Sequence, residues 1–249
     1  MKTGKYVKFW ILISFIAIAL FPPANTFFDS RALAAVADSF ETDDTAPVAI
    51  YDPHEQFNRS MFALNDKIYF YVIKPFSIIY SAYLPPDVRA AVRNGFHNIL
   101  FPARFINCIL QGKGDKAGTE TARFLINSTM GLGGLFDWAD RGFGIKRHDE
   151  DFGQTLAVWG AGPGAYLVIP LLGPTNARDL SGYVVDSAMD PIYWIPGPIW
   201  MSSAVLSGKM LNNASLRIGE YEDFKKSAID PYVSLRNAYY QYRTKEIAK

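Results

Sequence analysis

Between residues 52 and 73, Phe57, Met61, Leu64, Ile68 and Tyr71 follow the alternating four-and-three spacing of one helical stripe, while Phe62, Tyr69 and Ile73 form a second. The polar side chains left between the stripes include Asn58, Arg59, Asn65 and Asp66. A helix apolar on most faces belongs in a core or against lipid. Its start is specified as well: Asp52 suits the N-cap, Pro53 the first helical position, and Glu55 the third, where it completes a capping box. Pro75 predicts a kink or an end.

The rest of the chain repeats this helical pattern. Pro85 and Pro86 punctuate it before a second helix through DVRAAVRNGFHNI, and Pro102 opens a short third. The glycine-rich QGKGD (111 to 115) reads as a turn. In AGTETARFLINSTM the apolar positions Ala122, Leu125, Ile126 and Met130 predict an amphipathic helix ending at Gly131. Residues 131 to 154 read as short helices joined by tight turns. YLVIPLLG (166 to 173) is the one convincing strand-like run, and its proline confines it to a sheet edge or an extended segment. Helices are expected again from Asn176 to Met189, from about Pro198 to Ile218, and from Asp230-Pro231 to the end. The fold class is therefore mainly α, a single domain with short glycine- and proline-rich connections and little or no strand.

The first residues look like a targeting segment. Lys2, Lys5 and Lys8 precede an apolar run from Phe9 to Phe21, and Ala32-Leu33-Ala34 offers a small-x-small cleavage site. This sets the expected boundaries: signal peptide 1–34, flexible leader 35–50, helical domain 51–245. Beyond the signal no stretch of eighteen apolar residues occurs, so no classical span is expected. Export implies an oxidising compartment, yet Cys108 is the only cysteine, so packing must hold the fold without an internal disulfide. Its apolar helical context suggests a buried thiol.

Aromatic residues make up 15% of the chain. They fit either a dense core or the interfacial belt where Trp and Tyr meet lipid headgroups. With a formal net charge of +1 and no Lys/Arg block, nucleic acid has no electrostatic support as a partner. GAGPGA (160 to 165) matches the dinucleotide-binding pattern in letters only, because an extended run follows where the phosphate-binding helix should begin. His54, His97 and His148 lack metal-ligand spacing, no G-x-S-x-G elbow occurs, and Asp149-Glu150-Asp151 reads as a solvated acidic loop. Neither an enzyme nor a cofactor is expected.

Four blocks carry a specific resemblance: DPHEQFNRSMFALND (52 to 66), RFLINSTMGLGGLFDWAD (123 to 140), EDFGQTLAVWGAGPGAYLVIPLLGPTNARD (150 to 179) and DPYVSLRNAYYQYR (230 to 243). In order and spacing they resemble the MlaA (VacJ) family of the outer-membrane lipid-asymmetry pathway. The resemblance implies a helical ring in the inner leaflet of the outer membrane, on the periplasmic side, with an amphipathic channel. Through it, phospholipids that have strayed into the outer leaflet pass to a soluble MlaC-like periplasmic carrier, and trimeric porins are implied as associated partners. Asn58, Arg59, Asn65 and Asp66 are then candidates for a polar lining, or for internal pairing with Glu55 as the acceptor nearest Arg59. Arg178 either pairs with Asp179 or meets a phosphate. Gly131, Gly133, Gly134, Gly162 and Gly164 are candidate hinge or close-packing positions. The family's familiar members are lipoproteins with a cysteine just after the signal, and none precedes Cys108 here, so the chain is expected not to be one. A soluble periplasmic lipid-binding protein and an envelope scaffold without a lipid path are the competing expectations.

Overall fold

The computed structural model describes residues 50–249 apart from residue 197, so the expected signal peptide and nearly all of the leader lie outside the described residues. Helix α1 (Glu55–Ile68) runs through a π-helical stretch, Tyr69–Ile73, into α2 (Lys74–Tyr83). The expected break at Pro75 is thus absorbed instead of ending the helix. Pro75 has no N–H to close a normal turn, and one widened turn just before it takes up the defect. The expected capping box does not form. His54 occupies the N-cap position, and Asp52 instead accepts from Asn58 Nδ2, Tyr232 Oη and Arg236 Nη1, partners that outcompete a local cap.

Helices α3 (Pro86–Ile99), α4 (Phe101–Leu110) and α5 (Gly114–Thr129) follow, each opening near its expected residue, then the short α6 (Trp138–Phe143) and α7 (Phe152–Val158). Asp137 and Asp151 cap the last two by accepting from the N–H groups of Asp140 and Gln154. The strand-like run is β1 (Tyr166–Ile169), stopping before Pro170. It pairs antiparallel with β2 (Gly173–Asn176) in register Tyr166 with Asn176 and Ile169 with Gly173. This hairpin is the only sheet among the described residues. Beyond it lie α8 (Ala177–Met189), capped by Asn176, a 3-10 turn (Pro191–Trp194), α9 (Ile199–Ser215), α10 (Glu220–Ser227) and α11 (Pro231–Ala248). Asp230 caps α11 through the N–H groups of Tyr232 and Val233, the device its sequence announced.

The opening helix faces the reverse of what a soluble helix would. Its inward positions are Asn58, Asn65, Tyr69, Ile73 and Ser77, whereas Phe57, Leu64, Tyr71 and Ile78, spaced by sevens, point outward, Tyr71 with 79% of its surface exposed. The turn between α5 and α6 adds exposed Met130, Leu132, Leu135, Phe136 and Trp138, and Trp194 and Trp200 are exposed elsewhere. The apolar core is small and split: Tyr69, Ile73, Tyr221, Phe224 and Leu235 form one cluster, and Tyr166, Val168, Tyr232 and Tyr239 another. Elsewhere the interior carries many polar groups, and Glu120, Asn107, Asn212 and Thr155 have no exposed surface. Such groups are stable inside only when hydrogen-bonded or ion-paired. No helix among the described residues is long and apolar enough to cross a membrane.

Candidate functional site

The helices enclose a cavity of about 340 Å³, at the lower end of the size range of small-molecule sites. One face of α8 supplies Asp179, Tyr183 and Asp186, continued past its end by Asp190 and Tyr193. The four- and three-residue steps place Asp179, Tyr183 and Asp186 on one stripe of the helix. Opposite contributions come from α3 (Arg93, Phe96, His97), from α9 (Leu206, Lys209, Asn213) and from α11 (Tyr239, Tyr242, Arg243). Leu100, Ala103, Leu172 and Pro174 leave part of the wall apolar. The cavity is therefore amphipathic, with charges of both signs beside an aliphatic surface.

Arg243 organises one end. Its guanidinium donates to Asp151 at 2.6 and 3.0 Å and, through Nε, to Asp179 at 2.7 Å, while Tyr239 Oη also donates to Asp179. Burial works against the Asp179 charge, but Arg243 and Arg178 outweigh it and hold the carboxyl below the usual carboxylate range. This junction sits where α7 and α8 meet backbone to backbone: a Cβ on Gly182 would come 2.3 Å from Gly153 N. Only glycine permits that approach.

Residues 145–151 form a strap over the cavity. Arg123 donates to the Ile145 carbonyl, Glu120 accepts from His148 N at 2.8 Å, and His97 faces Asp149 at 3.1 Å. Lys113 and Lys116 reach buried Glu150 at 3.3 and 2.6 Å. The expected solvated acidic loop is thus an ion-paired wall of the site, with Arg147, Asp149, Glu150 and Asp151 lining it. Burial lowers the His97 pKa more than Asp149 raises it, which leaves the ring neutral at physiological pH. No group of three or more His, Cys, Asp or Glu among the described residues could hold a metal.

Asp186 behaves differently. It accepts from Asn107 Nδ2 at 2.8 Å and from Phe152 N at 2.9 Å, both neutral donors. Burial, and then the neighbouring Asp151 charge, push its carboxyl up to about 7.

None of the polar-lining or glycine candidates named from sequence lines this cavity. Asn58 spans β1, donating to the Tyr166 carbonyl at 3.0 Å and accepting from Val168 N at 2.9 Å. Asn65 does the same at the hairpin turn, with the Ile169 carbonyl at 3.0 Å and Leu171 N at 2.9 Å. Leu171 sits at φ 63°, a conformation that costs a non-glycine residue about 1 kcal/mol or more. Both amides pair internally, and by pinning the hairpin they position Leu172, Pro174 and Thr175 on the cavity wall. Arg59 pairs with Glu55 at 2.8 Å, as its spacing suggests, and with Asp230 at 2.9 Å. Asp66 accepts from Lys225 at 2.7 Å and from Tyr221. Arg178 is a buried partner of Asp179 at 2.8 Å, the internal pairing of its two expectations. Gly133 and Gly134 occupy a turn at positive φ, Gly164 is in coil at positive φ, Gly131 lies tight against the Phe136 carbonyl, and Gly162 is in open coil.

Comparison with known proteins agrees with this architecture. The sequence model of the MlaA lipoprotein family matches residues 50–246. An uncharacterized protein of Rickettsia felis is 35% identical over 195 residues, covering 78% of this chain and 77% of the relative. The intermembrane phospholipid transport system lipoprotein MlaA of Haemophilus influenzae is 34% identical over 200 residues, 76% of each chain, and the protein of the same name from Escherichia coli is 28% identical over 193. A solved structure described as the structural basis for maintenance of bacterial outer membrane lipid asymmetry superposes with TM-score 0.69 at 27% identity, covering 79% of this chain and 98% of its own. The Haemophilus influenzae and Escherichia coli relatives are named lipoproteins, which gives no support to the expectation that this chain is not one, and the segment concerned lies outside the described residues. On a family match over residues 50–246, this chain belongs to the MlaA family.

Proposed function

We propose that this chain moves phospholipids that have strayed into the outer leaflet of the outer membrane through its central cavity. It passes them to a soluble MlaC-like carrier in the periplasm and so maintains lipid asymmetry. The single observation that carries this reading is the amphipathic cavity inside a protein whose exterior is rich in exposed Phe, Leu, Ile and Trp. A lipid has a charged head and long tails, and a path for it needs hydrogen-bonding groups beside an apolar track. No bond is made or broken in such a transfer. The exposed stripe of α1 and α2 favours residence in one leaflet, on the periplasmic side of the outer membrane, over a freely soluble lipid binder. Trimeric porins are the partners this reading predicts in the same membrane.

The test is phospholipid exposed at the cell surface, measured by its accessibility to added phospholipase in a deletion strain, with and without the gene restored. Exposure should rise on deletion and fall on restoration. A Leu206→Trp variant, which fills the cavity, should reach wild-type abundance without lowering exposure. Unchanged exposure on deletion in a genome with no second copy would overturn the transport reading, and full rescue by Leu206→Trp would favour a scaffold.

A further inference from the structure

Most cations that line the cavity are committed to other groups of the fold. Arg104 donates to Glu120 at 2.8 Å and to the His97 carbonyl at 2.7 Å, and Arg243 is held between Asp151 and Asp179. Arg217 pairs with Glu220 at 3.2 Å, and Arg93 and Lys209 are engaged within the fold as well. Arg147 is the exception: it lines the cavity, yet among the described residues its guanidinium has no hydrogen bond, ion pair or ring contact. It is also solvent-exposed, which places it at the rim where the cavity opens. The backbone is anchored on either side of it. In the coil of residues 144–151, Arg123 donates to the Ile145 carbonyl before it, while after it Glu120 accepts from His148 N at 2.8 Å and Gln154 Nε2 donates to the Asp149 carbonyl at 3.0 Å. All three anchoring side chains are buried. The neighbouring Lys146 pairs with Asp140 at 2.6 Å and does not line the cavity.

A guanidinium offers five N–H donors in a planar fork that matches two oxygens of a phosphate. For Arg104 or Arg243 to bind such a group, each would first have to release a buried carboxylate and leave that charge uncompensated. Arg147 needs no such exchange and gives up only water. We infer that Arg147 is the phosphate-binding residue of the cavity mouth, taking the phosphodiester of a phospholipid headgroup while the tails follow the apolar wall of Leu100, Ala103 and Leu172. The inference rests on the proposed lipid path and adds the residue that reads the headgroup. Because the contact is with the phosphate, it separates phospholipids from neutral lipids with the same tails. An exposed ion pair is weak, which suits a rim: the headgroup is caught and then released, since the buried cations beyond it stay with their own carboxylates.

The experiment incubates the purified protein with detergent micelles holding phosphatidylethanolamine, phosphatidylglycerol and diacylglycerol in equal amounts, and measures the lipids that co-purify with it by mass spectrometry. Wild-type protein should carry both phospholipids in several-fold excess over diacylglycerol. Arg147→Gln should lose most of that excess while still carrying lipid and keeping the wild-type thermal midpoint. Lys146→Gln, which removes the adjacent charge outside the cavity, should keep all of it. The excess should also persist in millimolar inorganic phosphate, and its loss there would assign Arg147 to a free anion and overturn the headgroup role. Equal loading of the three lipids by wild type, an undiminished excess in Arg147→Gln, or the same loss in Lys146→Gln overturns the assignment and leaves the lipid path standing. A lowered thermal midpoint in Arg147→Gln overturns it too, since a residue without partners does not hold the fold. Absence of any bound lipid in the wild-type protein overturns the path itself, and with it this inference.

Discussion

Replacing Asn58 by alanine separates two roles for the polar residues of α1. In the structure its amide bonds the Tyr166 carbonyl, Val168 N and the Asp52 carboxylate, and the residue has no exposed surface. Asn58→Ala leaves a buried carbonyl and a buried N–H without partners, at roughly 1–3 kcal/mol for each abandoned group. The loss of stability should therefore be about 3 kcal/mol, which in a fold of this size lowers the thermal midpoint by about 6–12 °C. A polar residue lining a wet lipid path would behave otherwise: its truncation should stay within about 0.5 kcal/mol and act on transport instead. The assay is thermal unfolding of the purified protein in detergent, followed by circular dichroism at one scan rate for all variants. Asn58→Asp adds a second arm, since it keeps an acceptor for Val168 N but places a carboxylate against Asp52. A midpoint within about 1 °C of wild type for Asn58→Ala, together with lost surface-lipid clearance, would refute the positioning role.

Three further outcomes follow from the same geometry. Asp186 titrates near 7 when folded against 3.8 for an ordinary Asp, so the folded state holds this proton more tightly and the residue's drain on stability grows as pH rises from 4 to 7, then levels off. Asp186→Asn should thus gain on the order of 2 kcal/mol over wild type at pH 8, after discounting for partial solvent access, and nothing at pH 4. A pH-independent difference in urea midpoints would count against it. Arg243→Lys cannot fork between Asp151 and Asp179 and should cost about 3–5 kcal/mol, seen as a large fall in thermal midpoint, whereas an unchanged midpoint would show that the junction is not needed. Cys108 has no exposed surface, and burial together with Glu150 and Glu120 pushes its thiol up to about 11, so maleimide should label it only in denaturant. Labelling within minutes under native conditions would contradict its placement.

Local signals were legible in the chain and long-range ones were not. The Asp230-Pro231 start of α11, the Asn176 start of α8 and the glycine-ended α5 all rest on contacts within a few residues, and each forms as the sequence reads. The Asp52 cap failed because its competitors, Tyr232 and Arg236, lie about 180 residues away, beyond any local pattern. Strand β2, GPTN, carries no strand-like alternation and exists because β1 is already pinned by Asn58 and Asn65. Helix α10 was not expected either, its EYEDFKKS being short and mostly charged, yet it contributes Tyr221 and Phe224 to the core. The cavity wall was the least legible part. Its residues are scattered from 93 to 243, and residues of the Asp149-Glu150-Asp151 type look solvated in sequence until lysines, an arginine and a histidine from other helices are folded against them. The one readable trace was the 179, 183, 186 spacing along α8, visible only to a reader seeking polar stripes instead of apolar ones.

The links of Asp52 to Tyr232 and Arg236, and of Arg59 to Asp230, tie the first turn of the fold to its last helix. Because Asp52 and Arg59 are held by Asp230, Tyr232 and Arg236, a growing polypeptide cannot complete these links until α11 has emerged. Contacts of such sequence separation form late in folding, after the cost of closing a long loop has been met. Until then the inward face of the helix that carries Phe57, Leu64 and Tyr71 lacks its partners as well, a state prone to self-association. A holding chaperone that covers this helix until α11 is made would suppress that side reaction.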